Sequence, residues 1–212
     1  MALTVVQHVT NFTGSTTALV TTVTATGSGN LLVCVVNGSG IPTSVTDGTT
    51  NFQSFPDPNG GSGRWYGSGN IYYLQKSQSG KTTITVNYGS ASNVDFELWE
   101  VSGFTNPVPD TGTFLSSGSQ SAGKATGSSV ITYVPGFLVA FDKTNSAATN
   151  VGNGFNSGGD QDLNGNCFCS LITTTGGTYT PVWTDTGSSF NSLTAAFREG
   201  GVLRTTAWRG DL

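Results

Sequence analysis

Hydrophobic and polar residues alternate with a period of two along much of the chain, and no segment longer than a turn shows a helical period. Such alternation predicts strands with one buried face, because successive side chains of a strand point to opposite sides. The segment 31–36 is instead continuously apolar, which predicts a strand buried on both faces. The other predicted strands are 18–25, 70–74, 82–88, 94–101, 129–134, 137–141, 168–173, 179–184 and 193–197, with 203–208 as a last strand or a tail.

Turn residues separate these segments. The pairs and triplets typical of tight turns are Asp47-Gly48, Asn59-Gly60-Gly61, Asn164-Gly165 and Gly176-Gly177. Many short strands at this spacing predict an all-β sandwich or barrel.

The pattern occurs twice along the chain. The run 30–38 resembles the run 136–144, and the segment 80–88 resembles the segment 177–183. Each half therefore reads as a buried strand, a long loop region and an amphipathic hairpin. Two such halves predict a jelly-roll-like β-sandwich with two facing sheets. Two small sandwiches in tandem are the alternative.

We expect one domain over residues 1–200, with pseudo-repeated halves at about 1–105 and 111–200. The proline-rich stretch 106–110 is interpreted as the crossing between the halves. Residues 201–212 are expected to form a C-terminal tail or an extra strand.

Composition narrows the class of protein. Only 9% of the residues are charged, against about 25% in an average domain, and there are 30 Gly with abundant Ser and Thr. This composition is typical of extracellular β proteins with a surface of hydroxyls and amides. With a net charge of −4 and scattered basic residues, nucleic-acid binding is not expected.

No apolar run reaches the roughly 20 residues that a membrane span needs, so no membrane partner is expected. A signal peptide has a basic region followed by an apolar block, and the first residues of the chain lack this pattern. We therefore expect the protein to be cytoplasmic when made and to reach the outside on a particle, by lysis or by another route.

Three cysteines, Cys34, Cys167 and Cys169, are too few for a disulfide framework. Cys167 and Cys169 are two apart and would point the same way on a strand. We predict buried free thiols, with one bridge from Cys34 to either of the others as the alternative. Three thiols and a single histidine do not predict a zinc site.

The segment from Asp160 to Asn166 resembles part of a calcium loop. Asp160, Asp162 and Asn164 would place oxygen ligands at the first, third and fifth positions, followed by Gly165 for a sharp turn. Leu171 occupies the position where a bidentate Glu belongs, and no helices flank the loop. A polar turn without metal is therefore the alternative to this candidate Ca²⁺ site, and no other cofactor is expected.

Asp95, Glu97 and Glu100 are the only clustered carboxylates. Asp95 and Glu97 would share one strand face about 7 Å apart, a spacing that could serve a glycosidase. Alternation explains them without any chemistry, as the solvent face of an amphipathic strand with the apolar neighbours inward. We favour that interpretation, and we expect no catalytic residues.

Aromatic residues around residue 70 could form a platform for sugars. Trp65, Tyr66 and Tyr73 are the candidate ligand-binding residues, because Trp and Tyr rings stack on sugar faces. Aromatic residues in strands are, however, more often core or subunit-contact residues. A hydrolytic triad would have to use His8, the only histidine, and no nucleophile elbow is present.

Several strand and turn motifs together resemble a known kind of domain. They are Gly-Asn-Leu-Leu-Val-Cys-Val-Val at 29–36, Val-Thr-Asp-Gly-Thr-Thr-Asn-Phe at 45–52, Asn-Ile-Tyr-Tyr-Leu at 70–74, Lys-Thr-Thr-Ile-Thr-Val-Asn-Tyr at 81–88, Leu-Trp-Glu-Val-Ser-Gly-Phe at 98–104 and Leu-Thr-Ala-Ala-Phe-Arg at 193–198. This pattern is similar to the jelly-roll-like β-sandwich domains of tailed-phage structural proteins and bacterial surface proteins. The resemblance covers about residues 3–200 and implies a role in a virion or at a surface. It implies no catalytic residues.

Two functions follow as hypotheses. The first is a non-enzymatic virion structural protein, such as a capsid decoration, tail or fibre protein or a shell or filament subunit, with copies of itself and other virion proteins as partners. The second is a carbohydrate-binding module that recognises a glycan at an extracellular or cell surface. A hydrolase has the least support, because the chain offers few reactive groups.

Overall fold

A computed structural model describes residues 2–56, 69–119, 124–126, 129–132, 136–144, 148–161, 166–185 and 189–201 of the chain. These residues form strands and turns and contain no helix, which confirms the all-β prediction. The strands are β1 (Thr4–Thr22), β2 (Leu31–Gly38), β3 (Pro42–Thr46), β4 (Gln53–Ser54), β5 (Gly69–Leu74), β6 (Thr83–Ser102), β7 (Pro107–Ser119), β8 (Lys124–Thr126), β9 (Val130–Thr132), β10 (Gly136–Thr144), β11 (Ala148–Gly152), β12 (Asn156–Gln161), β13 (Cys167–Thr173), β14 (Gly177–Tyr179), β15 (Val182–Asp185) and β16 (Ser189–Glu199).

Two antiparallel sheets pack against each other as a β-sandwich. The first sheet has the order β1-β6-β2-β5-β4, and the second has the order β7-β16-β10-β13-β12. The pairing is the same in both sheets. In the first sheet β1 pairs with β6, and β6 pairs with the continuously apolar strand β2. In the second sheet β7 pairs with β16, and β16 pairs with the continuously apolar strand β10. The repeat seen in the sequence is therefore a structural repeat, with one half of the chain in each sheet.

The main core lies between the two sheets. It joins Val33, Val35 and Trp99 of the first sheet to Phe137 and Phe197 of the second, among other apolar side chains. Aromatic rings cross the interface: the ring centroids of Trp99 and Phe137 lie 6.4 Å apart. Burying these side chains favours folding by roughly 1.5–3 kcal/mol each. The two halves thus share one apolar layer.

Each half also encloses a second core on the outer side of its sheet. In the first half, strands β1 and β6 are long enough to bend, and their distal parts pair over the outer face with β3 beside them. This layer covers Leu32, Cys34 and Val36 of β2. In the second half, Leu138 and Ala140 of β10 are covered together with Trp183 of β15.

Strand β2 is buried on both faces, as its unbroken apolar run predicts, because it lies in the centre of this three-layer stack. The predicted strands 82–88 and 94–101 are in fact one strand, β6. Their separation by Gly89 and small polar residues marks the bend, where the register with β1 shifts, and does not end the strand.

The proline-rich stretch after residue 106 is the start of an edge strand as well as the passage between the halves. Strand β7 begins at Pro107 and pairs with β16 on one side only, with Pro109 opposite Phe197. Proline lacks the N–H group that a central strand needs, and an edge strand tolerates this loss.

The Asp47-Gly48 turn forms as predicted, with Gly48 at a φ of 89°. Asp47 Oδ1 accepts hydrogen bonds from the backbone N–H groups of Thr49 and Thr50, at 2.9 and 2.7 Å. Burial alone would raise the pKa of Asp47, but these bonds favour the charged form and together lower it.

Candidate functional site

The three clustered carboxylates of β6 are buried. Asp95, Glu97 and Glu100 expose 4%, 2% and 0% of their surface. The prediction that Asp95 and Glu97 face solvent is therefore wrong. Strand β6 lies between β1 and β2 in the first sheet, and both of its faces are covered by another layer. Alternation along β6 separates two interior faces, so the carboxylates need internal partners.

Glu97 is paired with the only histidine. Its Oε2 contacts His8 Nε2, and the carboxylate side chain is 3% exposed against 21% for the imidazole. The His8 ring stacks on Trp99, with centroids 4.8 Å apart and planes 12° from parallel. His8 lies opposite Trp99 in the β1–β6 ladder, and Glu97 is its diagonal neighbour. The contact ties the N-terminal strand to the centre of the first sheet.

Asp95 joins the two halves of the molecule. Its Oδ2 accepts hydrogen bonds from the side-chain amides of Asn37, at 2.8 Å, and Asn166, at 3.0 Å. Asn37 is the penultimate residue of β2 in the first half, and Asn166 directly precedes β13 in the second half. All three residues are buried, so the bonds form in an interior where a charged acceptor is strongly dependent on its donors.

Glu100 fixes the loop before β2. Its Oε1 accepts bonds from the Gly27 N–H, at 2.7 Å, and from the Asn30 side chain, at 2.6 Å. Its Oε2 accepts a bond from Gln7 Nε2 of β1. The carboxylate thus ties together three separate segments of the first half.

These contacts give the carboxylates a structural role that fits their surroundings. A glycosidase pair needs two carboxyl groups that flank a bound sugar. Asp95 and Glu97 instead lie between packed sheets and accept bonds from groups of the fold itself. His8 and Glu97 resemble the imidazole and the carboxylate that orients it in a hydrolytic triad, but here their contact joins the paired strands β1 and β6.

The candidate calcium loop lies mostly outside the described residues. Asp160 is part of β12, whereas Asp162 and Asn164 are not described, so this site stays a prediction. Asn166, the last residue of that loop, directs its side-chain amide to Asp95. In the ranges that the structure describes, no group of three or more His, Cys, Asp and Glu side chains could hold a metal ion.

The candidate sugar platform loses one member. Tyr73 is 6% exposed, and its ring lies in the main core, 5.5 Å from the ring centre of Phe197. Its hydroxyl donates a bond to Gln53 Oε1 at 2.8 Å, and burial raises its pKa. Trp65 and Tyr66 lie outside the described residues, so their part of the prediction is untested.

The cysteines are buried free thiols, as predicted. Cys34 belongs to the outer core of the first half, and Cys167 and Cys169 to that of the second. Burial raises the pKa of Cys34. Burial also raises that of Cys169, with further contributions from Cys167 and Asp142. Protonated, enclosed thiols are poor nucleophiles.

No family model matches the chain, and the search of curated proteins finds no match. The fold and the candidate site define an all-β sandwich whose buried carboxylates are held by polar contacts with other strands and loops. The resemblance to phage and bacterial surface domains rests on the strand and turn motifs alone. Among the described residues, no helix is long and apolar enough to cross a membrane.

The residues that donate hydrogen bonds to these carboxylates could not be identified from the sequence. Gln7, Asn30, Asn37 and Asn166 are amides, which are usually found on the surface. Their partners lie far away along the chain, 93 residues for Gln7 and 71 for Asn166. The sequence holds one indirect signal, the acids of β6 themselves, because carboxylates in a buried central strand need hydrogen-bond donors.

Proposed function

We propose that the chain is a non-enzymatic structural protein that acts as a homo-oligomer on a virus particle or a comparable extracellular assembly. The observation that carries this proposal is the use of its clustered acids. Asp95, Glu97 and Glu100 are all buried and bonded to groups that hold strands and loops together. The groups most suited to chemistry therefore stabilise the fold.

Assembly is supported by the edges of the sandwich. Strand β1 is 19 residues long, pairs with β6 on one side and forms an edge of the first sheet. It carries no Lys, Arg, Asp, Glu or Pro. Soluble proteins usually protect long edge strands with such residues, and an edge that lacks them favours pairing with another chain. The virion setting is supported by the hydroxyl-rich, weakly charged composition and by the strand-motif resemblance.

Sedimentation velocity over a hundredfold range of protein concentration, with negative-stain microscopy of the same samples, tests the proposal. We expect a discrete oligomer or a regular particle or filament to appear as the concentration rises. A monomer at every concentration, also in the presence of particles from the source, would contradict it. Turnover of a glycoside substrate that is abolished by Glu97→Gln with the fold intact would contradict the non-enzymatic part.

A further inference from the structure

Strand β1 has two arms with different edges. The N arm, residues 4–13, pairs with the C-terminal part of β6, and the C arm, residues 18–22, pairs with its N-terminal part. The register shifts between the arms, around Gly14 to Thr16, mark the corner where β1 passes from one layer to the other.

The edge of the C arm is capped by side chains of the same chain. In the C arm, the Val20 carbonyl accepts a bond from Asn11 Nδ2, at 3.4 Å, and just beyond the arm the Gln7 amide both donates to the Thr24 carbonyl, at 2.9 Å, and accepts from the Thr24 N–H, at 3.0 Å. The Thr16 hydroxyl makes the same double contact with the backbone of Ala18, at 2.7 and 3.1 Å. These side chains take the place of a neighbouring strand, so the C arm is a poor template for another chain.

The N arm has much less protection. Within the described part of the chain, its one side-chain cap of this kind is the bond from the Phe12 N–H to Asn11 Oδ1, at 2.8 Å. Its single titratable group, His8, is already paired with Glu97. Val6 lies in this arm and is 52% exposed. The ten residues carry no Lys, Arg, Asp or Glu, and beyond the register shift between Val5 and Gln7, residues 7–13 present a continuous edge about 23 Å long at the usual strand rise.

We propose that the N arms of two copies pair with each other, antiparallel, about a two-fold axis. The inference rests on the proposed function and names its surface. A second copy is the fitting occupant because the arm carries no Lys, Arg, Asp or Glu that would repel an identical arm, and a two-fold axis makes any such edge self-complementary. The first sheet would then continue from one copy into the other.

The end strands of the two main sheets, other than β1, fit a partner strand less well. Strand β7 begins Pro-Val-Pro-Asp, β4 has two residues, and β12 is irregularly paired and contains Asp160. Proline, charge and shortness are features by which sheets avoid edge pairing. Head-to-tail pairing of the N arm with one of these edges is therefore disfavoured against pairing with its own copy.

The test uses two valines of the same strand with nearly equal exposure. Val6 is in the N arm, and Val20, in the capped C arm, is 57% exposed. Val6→Lys should raise the dimer dissociation constant about tenfold or more in sedimentation experiments, since it brings a charge to the paired edge. Val20→Lys makes the same change in charge and should leave the constant within about twofold of wild type. Equal effects of the two variants would overturn the proposal.

Cross-linking gives a second, independent readout. Single cysteines placed from Thr4 to Thr13 should form disulfide-linked dimers under mild oxidation at the positions next to the two-fold axis, and Val20→Cys should not. The native thiols are buried and give little background. A stable oligomer that neither Val6→Lys nor the N-arm cysteines affect would refute this surface and leave the proposed function standing. A monomeric wild-type protein would refute both.

Discussion

The bonds that Asp95 accepts across the two halves allow a quantitative prediction. Asn166→Ala removes the donor that comes from the second half, while Asn37 still donates to the same oxygen. A hydrogen bond to a charged group contributes about 1.5–3 kcal/mol. For a chain of this length, 1 kcal/mol corresponds to about 2–4 °C in Tm. The variant should therefore lose about 1.5–3 kcal/mol and melt about 3–12 °C lower.

A double-mutant cycle sharpens this prediction. Asn37→Ala alone should lower the free energy of unfolding by a similar amount. The double variant should lose more than the sum of the two single losses, because removing both of these donors leaves the buried carboxylate of Asp95 poorly solvated. We expect a coupling energy of about 0.5–3 kcal/mol in urea unfolding. Asn93→Ala is the matched control, since Asn93 is exposed. The reasoning is refuted if Asn166→Ala costs no more than this control, or if the two losses simply add.

Three further predictions concern single positions. His8→Ala should lower the free energy of unfolding by about 1–3 kcal/mol, because it leaves a buried carboxylate without this partner, and His8→Gln should lose less; equal losses would contradict the pairing. Asp47, whose pKa is lowered in the folded state, should stabilise the protein relative to Asp47→Asn above the unfolded pKa of about 3.9, and this advantage should vanish as the pH falls through the folded value; a pH-independent difference would contradict it. Gly136→Ala should cost about 1–3 kcal/mol or more, because the new Cβ would lie 2.2 Å from the Phe197 carbonyl oxygen, whereas Gly152→Ala meets no atom within 4 Å and serves as the control; equal melting temperatures would contradict the packing.

The sequence was most informative where one physical cause dominates. The unbroken apolar run of β2 could only belong to a strand covered on both sides, and the duplicated pattern gave two halves of the same strand order. The turn at Asp47-Gly48 followed from a residue that tolerates an unusual backbone angle, since Gly48 has a φ of 89°.

Irregular strands escaped sequence-based prediction. The N arm of β1 carries a register shift between Val5 and Gln7, which breaks the period of two on which strand prediction depends. Strand β7 contains prolines and glycine, which usually indicate loops, and it is stable only as the edge partner of β16.

The carboxylates of β6 show why the candidate site could not be derived from pattern alone. Alternation tells which residues share a face, but it does not tell whether that face is wet. For Asp95 and Glu97 the second sheet decides this, and it comes from the other half of the chain. The donors that make their burial tolerable, His8 and Asn166, are likewise distant in sequence.

Hydrogen exchange at several protein concentrations tests most directly whether copies of this chain pair through the N arm of β1. Backbone amides in residues 4–13 should exchange more slowly as the concentration rises from about 1 to 100 μM, since pairing protects the edge by mass action. Amides of the capped C arm, residues 18–22, should show no such dependence. Exchange in the N arm that is independent of concentration, while the protein is oligomeric, would contradict the account.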